Sequence, residues 1–387
     1  MTVGLLQPHP HDPARLVADL PAPRVQAHAA NLVVLPDGGL LCAWFGGSME
    51  GRSDICVFMS RLEPGATRWS EAVQLSDDPA RSEQNPVMFF VPGGDLWLLH
   101  TAQVAGHQNT SLVRRRVSHD QGRTWGPTET LEGSPLGAFV RQPMRVQPDG
   151  SWLLPIFRCR ARPGEAWEGS LDDSAVLRST DQGRSWFCIE VPESLGCVHM
   201  NIVPAADGSL LAFFRSRWAD HVYRTRSTDG GCSWEPPQPT VLPNNNSSIQ
   251  AIRLADGRLA MIFNASSAAD ARERRESLYD EIEDDGAPVA PGAAFSAATV
   301  RKAFWGAPRA PLTLALSADD GLTWPWQRHL EEGDGWCLSN NSEQRLNREY
   351  SYPSIQQTPD GHLHLAYTVF RQHIRHARVM PSWIEAA

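Results

Sequence analysis

Polar residues recur at one fixed distance from a repeated turn. Six short turns of the Pro-Asp-Gly type lie along the chain, and the position seven residues before each of them is mostly polar. In chain order, these six positions are Ala29, Asn85, Arg141, His199, Ser248 and Tyr352. A guanidinium, an imidazole and a phenol that meet in one site can bind an anion and transfer protons. The set is therefore the first candidate for a centre of chemistry.

The turns themselves predict β-hairpins. Each turn is flanked by two apolar stretches of strand length, as expected for a tight connection between antiparallel strands. The six turns are 36–38, 92–94, 148–150, 206–208, 255–257 and 359–361. Six turns of this kind indicate six hairpins, and each candidate residue lies in the first strand of its hairpin.

A second motif, Ser-x-Asp-x-Gly-x-Ser/Thr-Trp, follows four of the hairpins. Clean copies lie at 118–125, 179–186, 227–234 and 317–324, and a degenerate copy lies at 60–69. The Ser and Asp side chains can bond nearby backbone N–H groups, the Gly supplies a positive φ, and the Trp can pack the turn onto a neighbouring sheet. We expect this motif to join the two outer strands of a four-stranded sheet.

Together the two repeats predict an all-β fold, a six-bladed β-propeller with four-stranded antiparallel blades. The blades are expected over about 28–70, 84–125, 139–186, 197–234, 246–324 and 351–384, within one domain covering 1–387. Residues 16–25 are expected to form the outermost strand of blade six and so close the ring. Inner strands of a propeller line a central funnel, so the candidate residues should converge there.

The Ser-x-Asp-x-Gly motif is the Asp box, so the sequence resembles the sialidase (neuraminidase) superfamily, whose propellers carry BNR repeats. The resemblance implies a carbohydrate-active enzyme, an exo-acting glycoside hydrolase that cleaves the bond of an acidic sugar. Tyr352 stands where the family keeps its nucleophilic Tyr, and Arg215 stands where the second Arg of its carboxylate-binding triad lies. The loop 46–54 resembles the loop with the family's acid Asp, and offers Glu50 or Asp54.

Three departures from the family point away from sialic acid itself. His28 replaces the first Arg of the triad, and the third Arg has no clear match within 244–250. His199 replaces the Glu that polarises the nucleophilic Tyr. Polar neighbours complete the expected substrate-binding set, which consists of Arg215, Arg141, His28, Asn85, Asn201, Arg217 and Gln250.

Two enzymatic schemes and one binding function remain open from these residues. In the hydrolase, His199 deprotonates the nucleophile Tyr352, while Glu50 or Asp54 protonates the leaving oxygen. In a polysaccharide lyase, His199 removes the proton beside a uronate carboxylate that Arg141 or Arg215 neutralises, and Tyr352 protonates the leaving group. The third alternative is a non-catalytic propeller that binds a glycan or a protein.

Composition excludes several other classes of function. A net charge of −9 argues against non-specific binding of nucleic acid or of an anionic membrane. The start of the chain has no basic, apolar secretion signal, and no later stretch is apolar enough to span a bilayer, so we expect a cytoplasmic protein. The seven Cys contain no CxxC pair, and we expect neither a metal nor another cofactor. The oligomeric state stays open.

Two segments interrupt the repeat. Blade five carries an insertion at about 265–309, in which residues 268–279 predict a short charged helix. The insertion is either a solvated decoration or a lid or oligomer contact. The second segment, 331–348, links blades five and six.

Overall fold

The computed structural model describes residues 2–275, 277–279, 281–282 and 301–386, and these residues form almost only β-strands. The strands make six antiparallel sheets, and each sheet packs against the sheets before and after it in the chain, while the last sheet packs against the first. This arrangement is a closed six-bladed β-propeller and confirms the predicted fold class.

Blade by blade, the strands have the following bounds. The chain begins with β1 (Gln7–His9) and β2 (Asp12–Asp19), which belong to the sixth blade. Blade one contains β3 (Gln26–Val34), β4 (Leu40–Gly47), β5 (Cys56–Leu62) and β6 (Val73–Gln74). Blade two contains β7 (Ser82–Phe90), β8 (Leu96–Val104), β9 (His107–Ser118) and β10 (Glu129–Thr130). Blade three contains β11 (Ala138–Phe139), β12 (Arg145–Val146), β13 (Trp152–Arg158), β14 (Asp173–Ser179) and β15 (Phe187–Glu190).

The second half of the chain repeats the pattern. Blade four contains β16 (Cys197–Pro204), β17 (Leu210–Ser216), β18 (His221–Ser227) and β19 (Gln238–Pro243). Blade five contains β20 (Gln250–Arg253), β21 (Leu259–Asn264), β22 (Leu312–Ser317) and β23 (Trp326–Glu331). Blade six contains β24 (Tyr350–Gln357), β25 (Leu363–Val369) and β26 (His373–Val379), and a short helix α1 (Pro381–Glu385) follows it.

The N-terminal stretch closes the ring, as predicted, but with different bounds. Strand β2 pairs with β26, with Leu16 opposite Arg378 and Asp19 opposite Arg375. The strand begins at Asp12 and ends at Asp19, so residues 20–25 lead into blade one instead of extending the strand. Strand β1 lies outside β2 and makes this sheet five-stranded.

The Asp boxes join the two outer strands of four blades, as the sequence predicts. In the first copy, Ser118 Oγ accepts the N–H of Gly122 at 2.8 Å, and Asp120 accepts the N–H of Thr124 at 2.8 Å. Gly122 has φ +82°, and a Cβ placed there would lie 2.8 Å from Leu41 of the preceding blade. The corresponding glycines of the other copies also press on the preceding blade, with a Cβ 2.8 Å from Trp97 at Gly183, 2.5 Å from Leu153 at Gly231 and 2.7 Å from Phe213 at Gly321.

The hydrophobic core lies between the blades. In the described residues, apolar clusters fill each of the six interfaces between neighbouring blades, so every blade is packed on two sides. A further cluster places Leu278, Tyr279 and Trp305 of the insertion against Phe139 and Phe157 of blade three. No described helix has the length and apolar character needed to cross a membrane.

The prediction of a helix over 268–279 is wrong. A 3₁₀ turn, Ala268–Asp270, is capped by Ser267, and Ala271 then takes an extended conformation that ends it. Leu278 and Tyr279 are buried against other blades. Tertiary packing has therefore overridden a local helix preference that is weak in any case. Residues 276, 280 and 283–300 of the insertion lie outside the described residues.

Candidate active site

The candidate residues lie at backbone irregularities of the inner strands. Strands β3, β7, β16 and β24 each shift register at the same level of the funnel. The left-handed residues at these bulges are Ala29 (φ 61°), Asn85 (φ 50°), His199 (φ 58°) and Tyr352 (φ 49°). A left-handed non-glycine residue costs about 1–2 kcal/mol, and such strain is concentrated at functional sites. Counting back seven residues from a turn therefore finds a β-bulge in these four inner strands. A bulge can turn a side chain toward the propeller axis.

Tyr352 is the centre of the cluster. Its hydroxyl accepts a hydrogen bond from Nη1 of Arg215, and Nε2 of His199 lies 3.4 Å from the same Nη1. The ring of His199 meets the Tyr352 ring edge-on with centroids 5.5 Å apart, and the ring of His28 lies at 4.2 Å. The structure therefore brings these four predicted residues from blades one, four and six into direct contact.

Both histidines are neutral at pH 7. Burial lowers the pKa of His28 and of His199 well below 6.5, and nearby arginine charges lower it further. For His199 these charges are chiefly those of Arg215 and Arg217. A neutral imidazole beside a phenol is equipped to accept its proton.

Two further buried arginines adjoin Tyr352, and both have carboxylate partners. Nη1 of Arg309 donates to Glu349 at 3.2 Å, and Nε of Arg371 donates to the same carboxylate at 3.0 Å. Arg371 also donates to Glu50. These charges hold the pKa of Glu349 well below its usual value although the group is fully buried.

Arg217 is likewise neutralised. Its Nε and Nη2 donate to Asp172 at 2.9 and 2.6 Å, and both side chains are buried. The guanidinium also stacks near Trp167 and Trp305, with its carbon 5.4 and 5.1 Å from the ring centroids. The sequence predicts Arg217 as a substrate ligand. In the structure its Nε and Nη2 both donate to Asp172.

Arg141 and Arg215 have no carboxylate partner among the described residues. Arg141 lies across the floor of the funnel, where Nη2 donates to the carbonyl oxygens of Ala30, Tyr352 and Pro353. Nε of Arg215 donates to Asn246 at 2.7 Å. In the central cluster, five buried arginines, Arg141, Arg215, Arg217, Arg309 and Arg371, face three buried carboxylates, Asp172, Glu349 and Glu50, so two positive charges of this cluster remain unbalanced (five minus three).

Several nitrogen atoms around Tyr352 lack a hydrogen-bond partner in the part of the chain that is described. They are His28 Nε2, Arg141 Nη1, His199 Nδ1 and Arg215 Nη2. Buried polar atoms normally have partners, and an unpartnered group at the centre of a funnel points to a ligand. The donors and the charge both suit an anion.

The two predicted carboxyl groups of the loop 46–54 differ in setting. Glu50 is 4% exposed and bound to Arg371, which places it in the buried charge network. Asp54 is exposed, and its two oxygens accept from the N–H and the Oγ of Ser48 at 2.8 and 3.0 Å. Glu50 is therefore a buried, ion-paired carboxylate, whereas Asp54 is an exposed one.

The predicted amide residues mainly connect blades. Asn201 Oδ1 accepts the N–H of Ala251 at 2.5 Å, and Gln250 Oε1 accepts the N–H of Ile355 at 2.6 Å. Each bond joins the inner strand of one blade to that of the next. Asn85 is 6% exposed, and no hydrogen bond joins its amide to another described residue.

A family comparison agrees with this architecture. Residues 38–365 match the model of the BNR repeat-like domain. The chain belongs to that family. The four Asp boxes of this BNR propeller all lie within the matched range. A comparison with curated proteins gave no match.

Solved structures share the fold at low identity. A Hadza microbial sialidase is 14% identical over 93% of this chain and 67% of its own, with a TM-score of 0.66. A protein of unknown function from Dyadobacter fermentans is 15% identical over 94% and 98%, with a TM-score of 0.65. A leech intramolecular trans-sialidase complexed with 2,7-anhydro-Neu5Ac is 13% identical over 94% and 69%, with a TM-score of 0.64.

Sequence reasoning missed three residues of the BNR propeller's central cluster. Arg309 ends the insertion and Arg371 follows β25, so neither falls at the repeated distance from a turn. Glu349 had a usable signal, because it lies three residues before Tyr352. Asn246, a polar neighbour of the six aligned positions, is left-handed like the other bulge residues (φ 58°).

No group of three or more His, Cys, Asp or Glu suited to a metal ion occurs among the described residues of this BNR propeller. All seven Cys are free thiols, five of them buried.

Proposed function

We propose that this BNR propeller is a glycoside hydrolase that removes a terminal acidic sugar from a glycan or glycoside, with Tyr352 as its nucleophile. The observation that carries the proposal is the pair of unbalanced guanidinium charges beside Tyr352 and a neutral His199. An uncompensated buried charge is costly to a fold, so its retention is best explained by an anionic ligand.

In the proposed reaction, Tyr352 Oη bonds to the anomeric carbon as the glycosidic C–O bond breaks. His199 takes the phenolic proton, and Arg215, already bonded to the hydroxyl, stabilises its developing negative charge. Water then attacks the anomeric carbon and releases Tyr352, which gives retention of configuration.

The leaving oxygen takes its proton from the loop 46–54. The carboxylate of Glu50 is engaged by Arg371, which leaves Asp54 as the proposed donor. Asp54 then takes part in the chemistry, and Glu50 holds Arg371 in place.

The substrate is proposed to be an acidic sugar other than sialic acid. Arg309 and Arg371 are already engaged by Glu349 and Glu50. Only Arg141 and Arg215 therefore have charge to offer, and neutral His28 adds an unpartnered donor or acceptor. A single carboxylate with neighbouring hydroxyl groups matches this set.

A uronate lyase is the second candidate, because neutral His199 has an unpartnered Nδ1 and no carboxylate of the described residues contacts the Tyr352 hydroxyl. His199 would remove the proton next to the carboxylate, the C–H electrons would form a C=C bond, and the C–O bond would break. Tyr352 would protonate the departing oxygen.

The test is a screen of para-nitrophenyl glycosides of acidic and neutral sugars, together with uronate oligosaccharides. We expect turnover of an acidic glycoside to a saturated sugar, and a loss of about 10³-fold or more in Tyr352→Phe. Tyr350→Phe, a half-buried tyrosine of the same strand, should keep full activity. A conjugated ultraviolet chromophore would establish elimination instead, and glycan binding unaffected by Tyr352→Phe without any turnover would favour the binding function.

A further inference from the structure

The described part of the blade-five insertion reaches the opposite side of the ring. The blades follow one another in chain order, so blade five and blade two face each other across the axis. Nevertheless, the hydroxyl of Tyr279 accepts N–H bonds from Gln103 at 2.9 Å and Gln108 at 2.7 Å, both in blade two. Gln103 and Gln108 flank the connection of β8 to β9, on the face of the propeller where the inner strands begin with the site residues. The insertion therefore crosses above the site.

Tyr279 lies beside the loop 46–54 of blade one. A Cβ on Gly51 would lie 2.7 Å from the Tyr279 ring and 2.7 Å from Ile282, so the insertion packs directly on that glycine. Tyr279 is only 8% exposed. Burial, and next the charge of Glu50, raise the pKa of its hydroxyl, which stays neutral. The ring thus closes the space between blades one and two, adjacent to Glu50.

Other contacts fix the insertion in this position. Glu281 accepts the N–H of Asn340 at 2.8 Å and the Oγ of Ser339 at 2.9 Å, which ties it to the segment before blade six. On the return path, the carbonyl of Phe304 accepts Nδ2 of Asn246 at 2.8 Å. Asn246 in turn orients Arg215. The described parts of the insertion are therefore held by the segment before blade six at Glu281 and by a neighbour of Arg215 at Phe304.

We propose that Tyr279 is a specificity-determining residue that closes one side of the funnel and restricts the substrate to the end of a glycan chain. This inference rests on the proposed function and extends it to the shape of the substrate. A glycan bound through an internal unit needs an exit on two sides of the site, and the Tyr279 ring occupies the side between blades one and two. Tyr352 beneath it is only 6% exposed.

The experiment compares Tyr279→Ala and Gly51→Ala with a matched control, Gly106→Ala. Gly51 and Gly106 are both left-handed (φ +96° and +74°), but a Cβ on Gly106 would meet only Ile282, at an ordinary 3.7 Å. Each variant is assayed on para-nitrophenyl glucuronide and para-nitrophenyl N-acetylneuraminide, and on polyuronate and polysialic acid chains. We expect the ratio of polymer to aryl glycoside turnover to rise by about tenfold or more in the first two variants, with internal cleavage products. Gly106→Ala should keep the wild-type ratio.

A ratio unchanged in Tyr279→Ala and Gly51→Ala would overturn the inference while leaving the hydrolase intact. If the wild type cleaves none of these substrates, the proposed function fails separately. The same variants are then compared by calorimetry for affinity toward the monosaccharide and toward its oligomer, and an unchanged affinity ratio overturns the role of Tyr279. Where Tyr279→Ala does not fold, Gly51→Ala tests the role by itself. Tyr279→Phe keeps the ring and removes the bonds to Gln103 and Gln108, so it should retain the wild-type ratio.

Discussion

Arg215 and Arg217 lie two residues apart but in opposite electrostatic settings. Arg217 is paired with buried Asp172, whereas Arg215 meets only neutral groups, the hydroxyl of Tyr352 and the amide of Asn246. In the first arrangement, loss of either partner would leave an uncompensated charge in the interior, whereas the second arrangement already leaves one guanidinium charge unbalanced. The proposed function assigns Arg217 to the fold and Arg215 to the ligand.

Methionine substitutions should separate these roles. Arg217→Met leaves Asp172 buried without its cation, so the free energy of unfolding should fall by about 3 kcal/mol or more. Arg215→Met removes an unpaired buried cation, so stability should stay within about 1 kcal/mol of the wild type or rise, while kcat/KM for an acidic glycoside falls by about 10²-fold. Urea unfolding and steady-state kinetics measure both. Equal destabilisation by the two variants would contradict the charge assignment.

At this scale the sequence predicted which residues meet but not what each one contacts. Counting from the turns found Tyr352 and His199, because a repeated strand places equivalent positions at equivalent depths. The partner of Arg217 was out of reach, since Asp172 lies 45 positions earlier in an irregular loop of another blade. The contacts of Asn201 and Gln250 could not be predicted for a similar reason, because the backbone N–H groups that they bind belong to adjacent blades.

Among the elements, the Asp box was the most predictable, because its side-chain bonds are local and its spacing repeats. The helix over 268–279 was the least predictable, because buried Leu278 and Tyr279 decide the path of that segment. The bulges of the inner strands fall between these cases. Their positions repeat, yet only the Asn and His among their residues have a recognised tendency toward the left-handed region.

We expect the Asp-box glycines to be required for packing between blades as well as for the conformation of the turn. Gly231 and Gly208 are both left-handed (φ +85° and +86°), but a Cβ on Gly231 would lie 2.5 Å from Leu153, while nothing lies within 4 Å of one on Gly208. Gly208→Ala should cost about 1–2 kcal/mol from backbone strain. Gly231→Ala should cost about 1–3 kcal/mol more, because the blade interface is overpacked. Equal melting temperatures for the two variants would show that the contact with the preceding blade is unimportant.

For the whole molecule, we expect buried neutral histidines to make the stability of the fold depend on pH. Trp69 Nε1 donates to His376 Nδ1 at 3.2 Å, so the proton of His376 is on Nε2 and is donated to His364 Nδ1 at 2.9 Å. This chain connects blade one to blade six through uncharged rings. Burial lowers the pKa of His364 to about 4 and that of His376 well below 6.5.

Stability should therefore fall as pH drops from about 6.5 toward 4. In this window the unfolded chain binds protons at His28, His199, His364 and His376, and the folded chain does not. Each such histidine contributes a slope of about 1.4 kcal/mol per pH unit, and the full contribution is present only above its unfolded pKa. Urea unfolding at successive pH values measures the slope. His364→Gln should reduce it and exposed His119→Gln should not; a slope unaffected by His364→Gln would contradict this account.

The sequence predicted the global architecture because two short repeats recur around the ring, and each repeat constrains its own blade. It did not predict how the irregular segments meet over the funnel, since those contacts join residues that no repeat relates. A cytoplasmic location and a single domain over 1–387 stay predictions.

The pairing of β2 with β26 has a consequence for biosynthesis. These strands come from opposite ends of the propeller sequence, and the sheet they complete is the one that carries Tyr352. A nascent chain on the ribosome can stack its first five blades as they emerge, but it cannot finish the sixth until residue 379 has left the exit tunnel. The sheet that carries Tyr352 is therefore unfinished in every incomplete translation product, and a partner that captures β2 during synthesis would delay its completion further.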